Sequence, residues 1–576
     1  MLKTSQEVRA VVAALGRGGL SAPVELMAVP PLGRGSLSID ADAEPSAAAL
    51  FRTAACGHVL HGFGTVFREQ YQYTTAKVTG ATVAPHDLEQ LLLGDETRHA
   101  ASDAVYFATA PSTRPDAFLS HTWADSALLK YLALCYRTNL GRAVLASWAT
   151  WAAIVLTLVG THAWDVTALG GIAWLKFAFL GAPSTVFFAT FFFGHAVMSA
   201  LAPLGLGREE QWWLDKLCIH QTREAWKLAG VQMLPTFVQS SDRLVLLWSE
   251  SYFSRLWCAC EMATFLSTHR PHAVDVQPLW LAPWVLSTIV VDIGCGFLVQ
   301  LLMPGNGVLP PIAAWNAAFG TFGTVPAAAI AMGFGYAPSI VPNLVAFRAK
   351  AQAHRRMLGQ LDEFKLSACH CAVESDRGHV EAHIAKLFGS HADPIEAFEA
   401  MVRRDFKRVV VSKVGTGASR MPLSLALLPF LPLYWSSAND IFGCDGAACA
   451  QNAAVEGFDS AWQLVLAAAG AWAFMLLCAS PFTYPFIFWA LERTEQLEGA
   501  WARNLAGAAA IFSAFFFIMG AAGGVGATCA YQVVGTCGAD SWWVLALVAA
   551  IVSSLGGLSW LFLERGPVHD DHSCGE

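Results

Sequence analysis

Eight stretches of this chain, at 143–160, 171–200, 279–303, 311–336, 422–438, 461–491, 505–527 and 541–563, are almost free of charge and long enough to cross a bilayer as helices. A helix rises 1.5 Å per residue, so about 20 apolar residues span the roughly 30 Å hydrocarbon layer. Composition agrees: 55% of residues are apolar, 14% are charged and the mean hydropathy is +0.45, whereas soluble domains carry about 25% charged residues. The expected architecture is therefore a multi-pass α-helical membrane protein of about eight spans, with the lipid bilayer as its first partner. The fourth stretch runs on through Pro338 and Pro342 to Phe347, and the fifth is short and proline-rich, so the parity of the count rests on these two. A net charge of -8 without a polybasic block speaks against nucleic acid as a partner.

Eight crossings would place 1–142, 201–278, 348–421, 492–504 and the tail 564–576 on one side, and those segments hold every Lys and Arg except Lys176. Cytosolic flanks carry the basic excess, so an integral membrane location with both termini cytosolic is expected. Cys444 and Cys449 lie in one uncharged opposite loop, and Cys529 and Cys537 flank another. Paired cysteines suit an oxidising compartment, which makes these four disulfide candidates, with connectivity open and four unpaired thiols as the alternative. Inside the spans, Lys176 and Asp292 lie about 8 and 16 Å from the outer ends at 1.5 Å per residue, within reach of one another as an intramembrane ion pair. A transporter or channel would also place charges there, although no inverted repeat between the halves is evident.

The polar segments 115–142 and 208–275 alternate strand-like and helix-like patterns. Asp116 to Ser120 reads as a buried strand after Pro115. Residues 125–140 read as a helix running into the first span, and Trp212 to Leu217 as a second strand. A helix from Thr222 follows, then a third strand at Arg243 to Trp248, a helix capped by Ser254, and a fourth strand at Ala273 to Gln277. Such alternation implies a parallel sheet with helices on its faces. The membrane hairpin 143–200 then sits inside one helix-to-strand connection, with its two ends emerging side by side.

Three motifs in this module resemble a known family. FLSHTWAD (118–125) looks like the opening strand and loop of TIR domains. SRLWCACE (254–261) is similar to their S-x-W-C-x-x-E segment, and WLDKLCIHQ (213–221) looks closer to the W-I-D-x-x-C-I-N-Q run of fungal heterokaryon-incompatibility domains. The combination resembles the multi-pass TIR-like proteins of algal protists such as dinoflagellates. The resemblance covers about 95 residues, and it implies a cytosolic α/β TIR-like parallel-sheet module interrupted by the first transmembrane hairpin. It implies either homotypic assembly in signalling, with a homo-oligomer formed through the module, or cleavage of the nicotinamide-ribose bond with NAD as substrate. Glu261 matches the catalytic glutamate of NAD-cleaving members, and a carboxylate suits a reaction that develops oxocarbenium charge on ribose. On a helix, Glu261 falls on the apolar arc with Trp257 and Phe265, where it would serve catalysis, be ion-paired to Arg255 or Arg270, or edge the membrane surface. His121, Trp123, Asp125, Asp215, His220 and Trp257 are the accompanying pocket candidates. Against the enzymatic reading, the second strand runs directly into DKLCIHQ, without the mobile loop of enzymatic TIR domains.

Outside the module, 279–347 is expected to hold a transmembrane pair and 422–563 the remaining spans. The region 348–421 is expected to be cytosolic and helical. Asp393 and Pro394 make an N-cap and first-turn pair, and the helix to Lys413 carries Ile395, Phe398, Met401, Val402 and Phe406 on a face that should pack on the module. Cys369, Cys371, His379 and His383 are zinc-type residues, but Cys-x-Cys is not a common structural-zinc spacing, so no metal site is assigned. Residues 1–110 are rich in Ala, Gly and Pro and read as a partly disordered cytosolic start followed by a small helical piece.

Overall fold

The computed structural model describes residues 45–68, 102–112, 114–161, 172–205, 207–302, 308–310, 312–371, 374–417, 420–435, 450–451, 453–454, 458–474, 480–495, 501–535 and 541–562. Most of these are helical, and a six-stranded mixed sheet lies among the helices.

The strands are β1 (Arg52–Ala55), β2 (Ala110–Pro111), β3 (Ala117–His121), β4 (Gln211–Trp213), β5 (Leu244–Trp248) and β6 (Val274–Pro278), in spatial order β2-β1-β4-β3-β5-β6. β4, β3, β5 and β6 pair in parallel, with Phe118 opposite both Trp213 of β4 and Leu244 of β5, while β1 joins β4 antiparallel. Every residue of β3 and β5 is buried, as expected of strands covered on both faces. Phe118 stacks on Trp213 at 4.4 Å between ring centroids. In chain order these strands are arranged second, first, third, fourth, a doubly wound pattern in which connections leave the first strand toward opposite sides.

The link between β3 and β4 is a hairpin of two long apolar helices. A 34-residue helix, Ala127–Gly160, leaves β3 within six residues, and a 30-residue helix, Ile172–Leu201, returns toward β4. Parallel strands require a crossover of a dozen or more residues, and this pair of helices supplies it. At the other side of the sheet β6 ends at Pro278 and the apolar helix Leu281–Leu302 begins three residues later. The sheet is thus joined to long apolar helices at two places without a flexible linker.

Among the described residues five helices are long and apolar enough to cross a membrane: Ala127–Thr157, Ala178–Leu204, Leu281–Leu302, Thr324–Asp362 and Ala506–Val534. The other expected spans contain shorter apolar helices, Leu423–Trp435, Ala461–Phe474 and Val544–Gly557. The fourth expected stretch is broken, because the helix Ile312–Phe319 ends in a 3-10 turn at Gly320, whose φ is +63°, and a new helix starts at Thr324. In the bundle, Gly520 and Gly524 let the Trp501–Gly535 helix approach Thr324–Gly335 so closely that a Cβ on Gly524 would lie 2.6 Å from the Val325 Cα. Small residues four apart are the usual means of close helix contact in lipid.

Several local expectations are corrected. β4 covers only Gln211–Trp213, because Asp215–Cys218 forms one helical turn. Ser254 does not cap the next helix: Arg255 is the N-cap residue, and the Ser254 hydroxyl donates to the Ser251 carbonyl instead. Residues 45–68 and 102–112, expected to hold only a small helical piece, also contribute β1 and β2 to the sheet, with β2 at its edge and β1 between β2 and β4. Asp393 does cap its helix, accepting from the Glu396 amide at 3.1 Å. That helix continues through a π turn, Val402–Phe406, and Lys407–Val414, and Phe406 packs against Trp248 and Phe253 of the module.

Arg137, in the third turn of the hairpin's first helix, ties the sheet together. Its side chain is 9% exposed, and its guanidinium donates to Asp275 of β6 at 2.8 Å and to Glu210, next to β4, at 2.7 Å. Burial alone would raise the pKa of Asp275, but Lys413 and Arg137 outweigh it and hold the carboxyl below its usual range. Removing one partner of a buried ionic group leaves the others uncompensated. Arg137→Met should therefore lower unfolding stability by about 3 kcal/mol, and adding Asp275→Asn should recover part of that loss. Thermal unfolding of the purified variants in detergent checks this, and strictly additive losses would argue against the coupling.

Candidate functional site

Ligands in open α/β sheets gather at the carboxyl edge, where the chain leaves neighbouring strands in opposite directions. In this sheet that point lies between β3 and β5. Ser120 and His121 end β3, the turn Tyr252–Ser254 follows β5, and the helix Leu256–Leu266 carries Glu261. The Ser120 hydroxyl donates to the Glu261 carboxylate and lies 2.6 Å from the Tyr252 hydroxyl. Tyr252 and Ser120 are fully buried, while Glu261 keeps part of its surface in a groove.

Burial is the main influence on Glu261, and Asp215 adds to it. Against the opposing effects of the Ser120 hydrogen bond and the Arg255 charge, they push its pKa up to about 8. A carboxyl at that value is mostly protonated at neutral pH and can exchange a proton within the physiological range. Neither Arg255 nor Arg270 forms an ion pair with it among the described residues. The groove holds about 120 Å³. Trp257, Cys260 and Thr264 form one wall, Leu234 and Val238 another, and His379 and His383 of the helix Glu374–Leu387 a third. The His383 ring lies 3.2 Å from the Thr264 hydroxyl.

Beside this groove is a second cluster centred on Asp215. Its Oδ1 lies 3.3 Å from His121 Nε2 and accepts from the Lys216 amide at 2.7 Å, and its Oδ2 accepts from Trp123 Nε1 at 2.5 Å. Burial works to raise this carboxyl's pKa, but the His121 ring, Trp123 and the Lys216 amide prevail and lower it. The Lys216 ammonium sits 4.6 Å from the Trp123 ring centroid and donates to the Phe67 and Arg68 carbonyls. Phe67 in turn meets the His121 ring edge-on at 5.4 Å. The Cys258 thiol points to the His121 carbonyl at 3.8 Å, which joins the two clusters.

The structure thus brings together Glu261, Trp257, His121, Trp123 and Asp215, and it separates two other candidates. Asp125 accepts from Thr122 and Ser251, and among the described residues no hydrogen bond or ion pair joins it to His121. His220 lies 2.7 Å from Asp103 and packs on Tyr106 and Trp226, with Arg223 bridging to the same aspartate. It is a structural tie to residues 102–112. Ser120, Tyr252, Phe67 and Cys258 belong to the site without having been singled out. Ser120 lies inside the FLSHTWAD motif and Tyr252 two residues before SRLWCACE, so motif adjacency would have found both.

In the apolar bundle Asp292 accepts from the Tyr336 hydroxyl at 2.5 Å, and Tyr336 stacks on Phe516. The side chain of Lys176, its expected partner, lies outside the described residues, as do Cys444, Cys449 and Cys537. Cys529 is buried in the helix Trp501–Gly535. Among the described residues no group of three His, Cys, Asp or Glu side chains is placed to hold a metal ion, and Cys369 donates to the Phe253 carbonyl instead. The chain matches no protein-family model, no curated protein and no solved structure.

The raised pKa makes a pH prediction with a definite sign. Unfolded Glu261 ionises near 4.5, whereas folded Glu261 keeps its proton to about 8. Between these values the folded state binds more protons, so stability falls as pH rises, by at most about 1.4 kcal/mol per pH unit. Glu261→Gln carries no such proton. Its stability relative to the wild type should rise steadily from pH 5 to about pH 8 and then level off. Parallel stability curves for the two proteins would show that Glu261 ionises normally.

Proposed function

We propose that this chain is an integral membrane protein displaying a TIR-like α/β module on the cytosolic side, where the module acts as a signalling or assembly scaffold. The observation that carries this reading is the way the sheet is joined to the apolar helices: Ala127–Gly160 begins after a five-residue turn from β3, and Leu281–Leu302 begins three residues after β6. A module held at two points moves with its helices, so a shift in the bundle reaches the edge that holds Ser120 and His121. Discrete packing arrangements of helices are a common physical basis for such transmission. Copies reconstituted at increasing surface density in vesicles should form dimers or larger assemblies, counted by single-molecule photobleaching. Leu246→Asp, which buries a charge in the centre of the sheet, should insert but remain monomeric. A wild type that stays monomeric at every density contradicts the scaffold reading.

A second reading, NAD cleavage, is favoured by one observation. Glu261 lies at the doubly wound switch point beside Trp257, hydrogen-bonded to Ser120 and with an elevated pKa. In that reaction the carboxylate form would steady positive charge developing on the ribose as neutral nicotinamide departs. Size places this reading second, because small-molecule sites usually offer about 300–1,000 Å³ and the groove offers about 120 Å³, enough for a single ring. Purified protein clustered on vesicles should release nicotinamide from NAD with a rate that rises as pH approaches 8, and Glu261→Gln should lose at least about 100-fold. No NAD loss under clustering leaves only the scaffold.

A further inference from the structure

A larger cavity, of about 350 Å³, lies between the hairpin and the amino-terminal side of the sheet. Its walls carry four arginines from three separate segments: Arg137 and Arg142 of the helix Ala127–Gly160, Arg208 in the approach to β4, and Arg243 just before β5. Its position follows from the hairpin. Arg142 is the last charged residue before the apolar stretch that begins at Ala143, and His195 and Met198, on the same wall, lie in the final two turns of the returning helix. If these helices cross a bilayer, the cavity opens at the level of the lipid headgroups.

The charges divide into those already engaged and those left available. Arg137 is held by Glu210 and Asp275, and Arg208 bonds to Asp116. The remaining carboxylate, Glu209, accepts from the Gly57 amide at 2.6 Å and the Ser199 hydroxyl at 2.7 Å. Arg142 donates to the Thr138 carbonyl at 3.2 Å, and neither it nor Arg243 has a carboxylate partner among the described residues. Two exposed guanidinium groups therefore face a polar cavity whose acids already have hydrogen-bond partners, Glu210 and Asp275 on Arg137 and Glu209 on Gly57 and Ser199. Planar guanidinium forks match phosphate oxygens, and basic pockets between helices at the cytoplasmic surface are the usual form of headgroup sites. From this geometry we propose that the cavity binds the phosphate of an anionic lipid headgroup, with Arg142 and Arg243 as its ligands. The site rests on the membrane reading but not on the scaffold or NAD readings. An occupant would touch the hairpin and the strand ends together, making the junction of module and bundle sensitive to lipid composition.

The test uses full-length protein in nanodiscs of phosphatidylcholine with or without phosphatidylinositol phosphate, scored by native mass spectrometry for retained lipid. The wild type should retain phosphatidylinositol phosphate in preference to phosphatidylcholine. Arg142→Gln with Arg243→Gln should weaken retention about tenfold or more, and the two lysine substitutions should keep part of it. As a charge-matched control, Arg114→Gln with Arg356→Gln removes two exposed arginines that do not line the cavity and should retain lipid as the wild type does. Equal retention by all forms overturns the proposal. So does equally tight binding of free inositol phosphate to protein in plain phosphatidylcholine discs, which would make this a soluble-anion site. Failure of the chain to enter discs at all removes the membrane reading and the proposal with it, whereas entry without lipid preference removes the proposal alone.

Discussion

The parallel pairing of β3 with β4 is the constraint on which the remainder of the module depends. Two parallel neighbours cannot be joined by a tight turn, and in this chain the crossover is a pair of helices of 34 and 30 residues. The strands can meet only if those helices return side by side, so formation of the sheet and antiparallel packing of the hairpin become one event. Arg137 reinforces this from the hairpin side by reaching Glu210 and Asp275, on the two flanks of the sheet's parallel core. A sheet assembled in this way has no independent position relative to the bundle.

That coupling gives the carboxyl edge its interest. Ser120 and His121 end the strand that leads into the hairpin helix, and both are bonded to acids brought in by other elements, Glu261 and Asp215. The two acids are tuned in opposite directions, Glu261 upward by burial and Asp215 downward by its hydrogen-bond donors. Paired environments that separate two carboxyls in pKa are characteristic of sites handling protons or charged ligands. The helix Glu374–Leu387 forms part of the groove wall, so the region after the fourth long apolar helix contributes to the site as well.

Much of this was legible in the residues. FLS and RLVLLW read as strands because both faces of a central parallel strand are buried and the apolar run is unbroken. Glu261 stood out because it matches the glutamate of the S-x-W-C-x-x-E segment, and its place on the apolar arc of its helix agreed. β1 and β2 escaped notice because Arg52–Ala55 and Ala110–Pro111 are short segments without alternation. The partner of His121 escaped for a different reason: Asp125 is close in sequence, while Asp215 lies 94 residues away across the hairpin and is nearer in space. The arginine cavity draws on three separated segments, and no local pattern announces it. Broken apolar stretches likewise look continuous to a hydropathy window, and the positive φ at Gly320 is what divides the fourth one.

The claim that one sheet is assembled across a membrane hairpin is tested most directly by cross-linking its two halves. Asp116 and Gln211 directly precede the register partners Ala117 and Trp212, and the Asp116 amide donates to the Gln211 carbonyl at 2.8 Å. Parallel neighbours lie about 4.8 Å apart, within the Cα range of a disulfide. With a protease site placed between residues 161 and 172, an Asp116→Cys, Gln211→Cys protein should oxidise efficiently, and after cleavage its fragments should remain joined on a denaturing gel until reduced. Fragments that separate without reductant, as they do for an Asp116→Cys, Ser267→Cys control, would contradict the account.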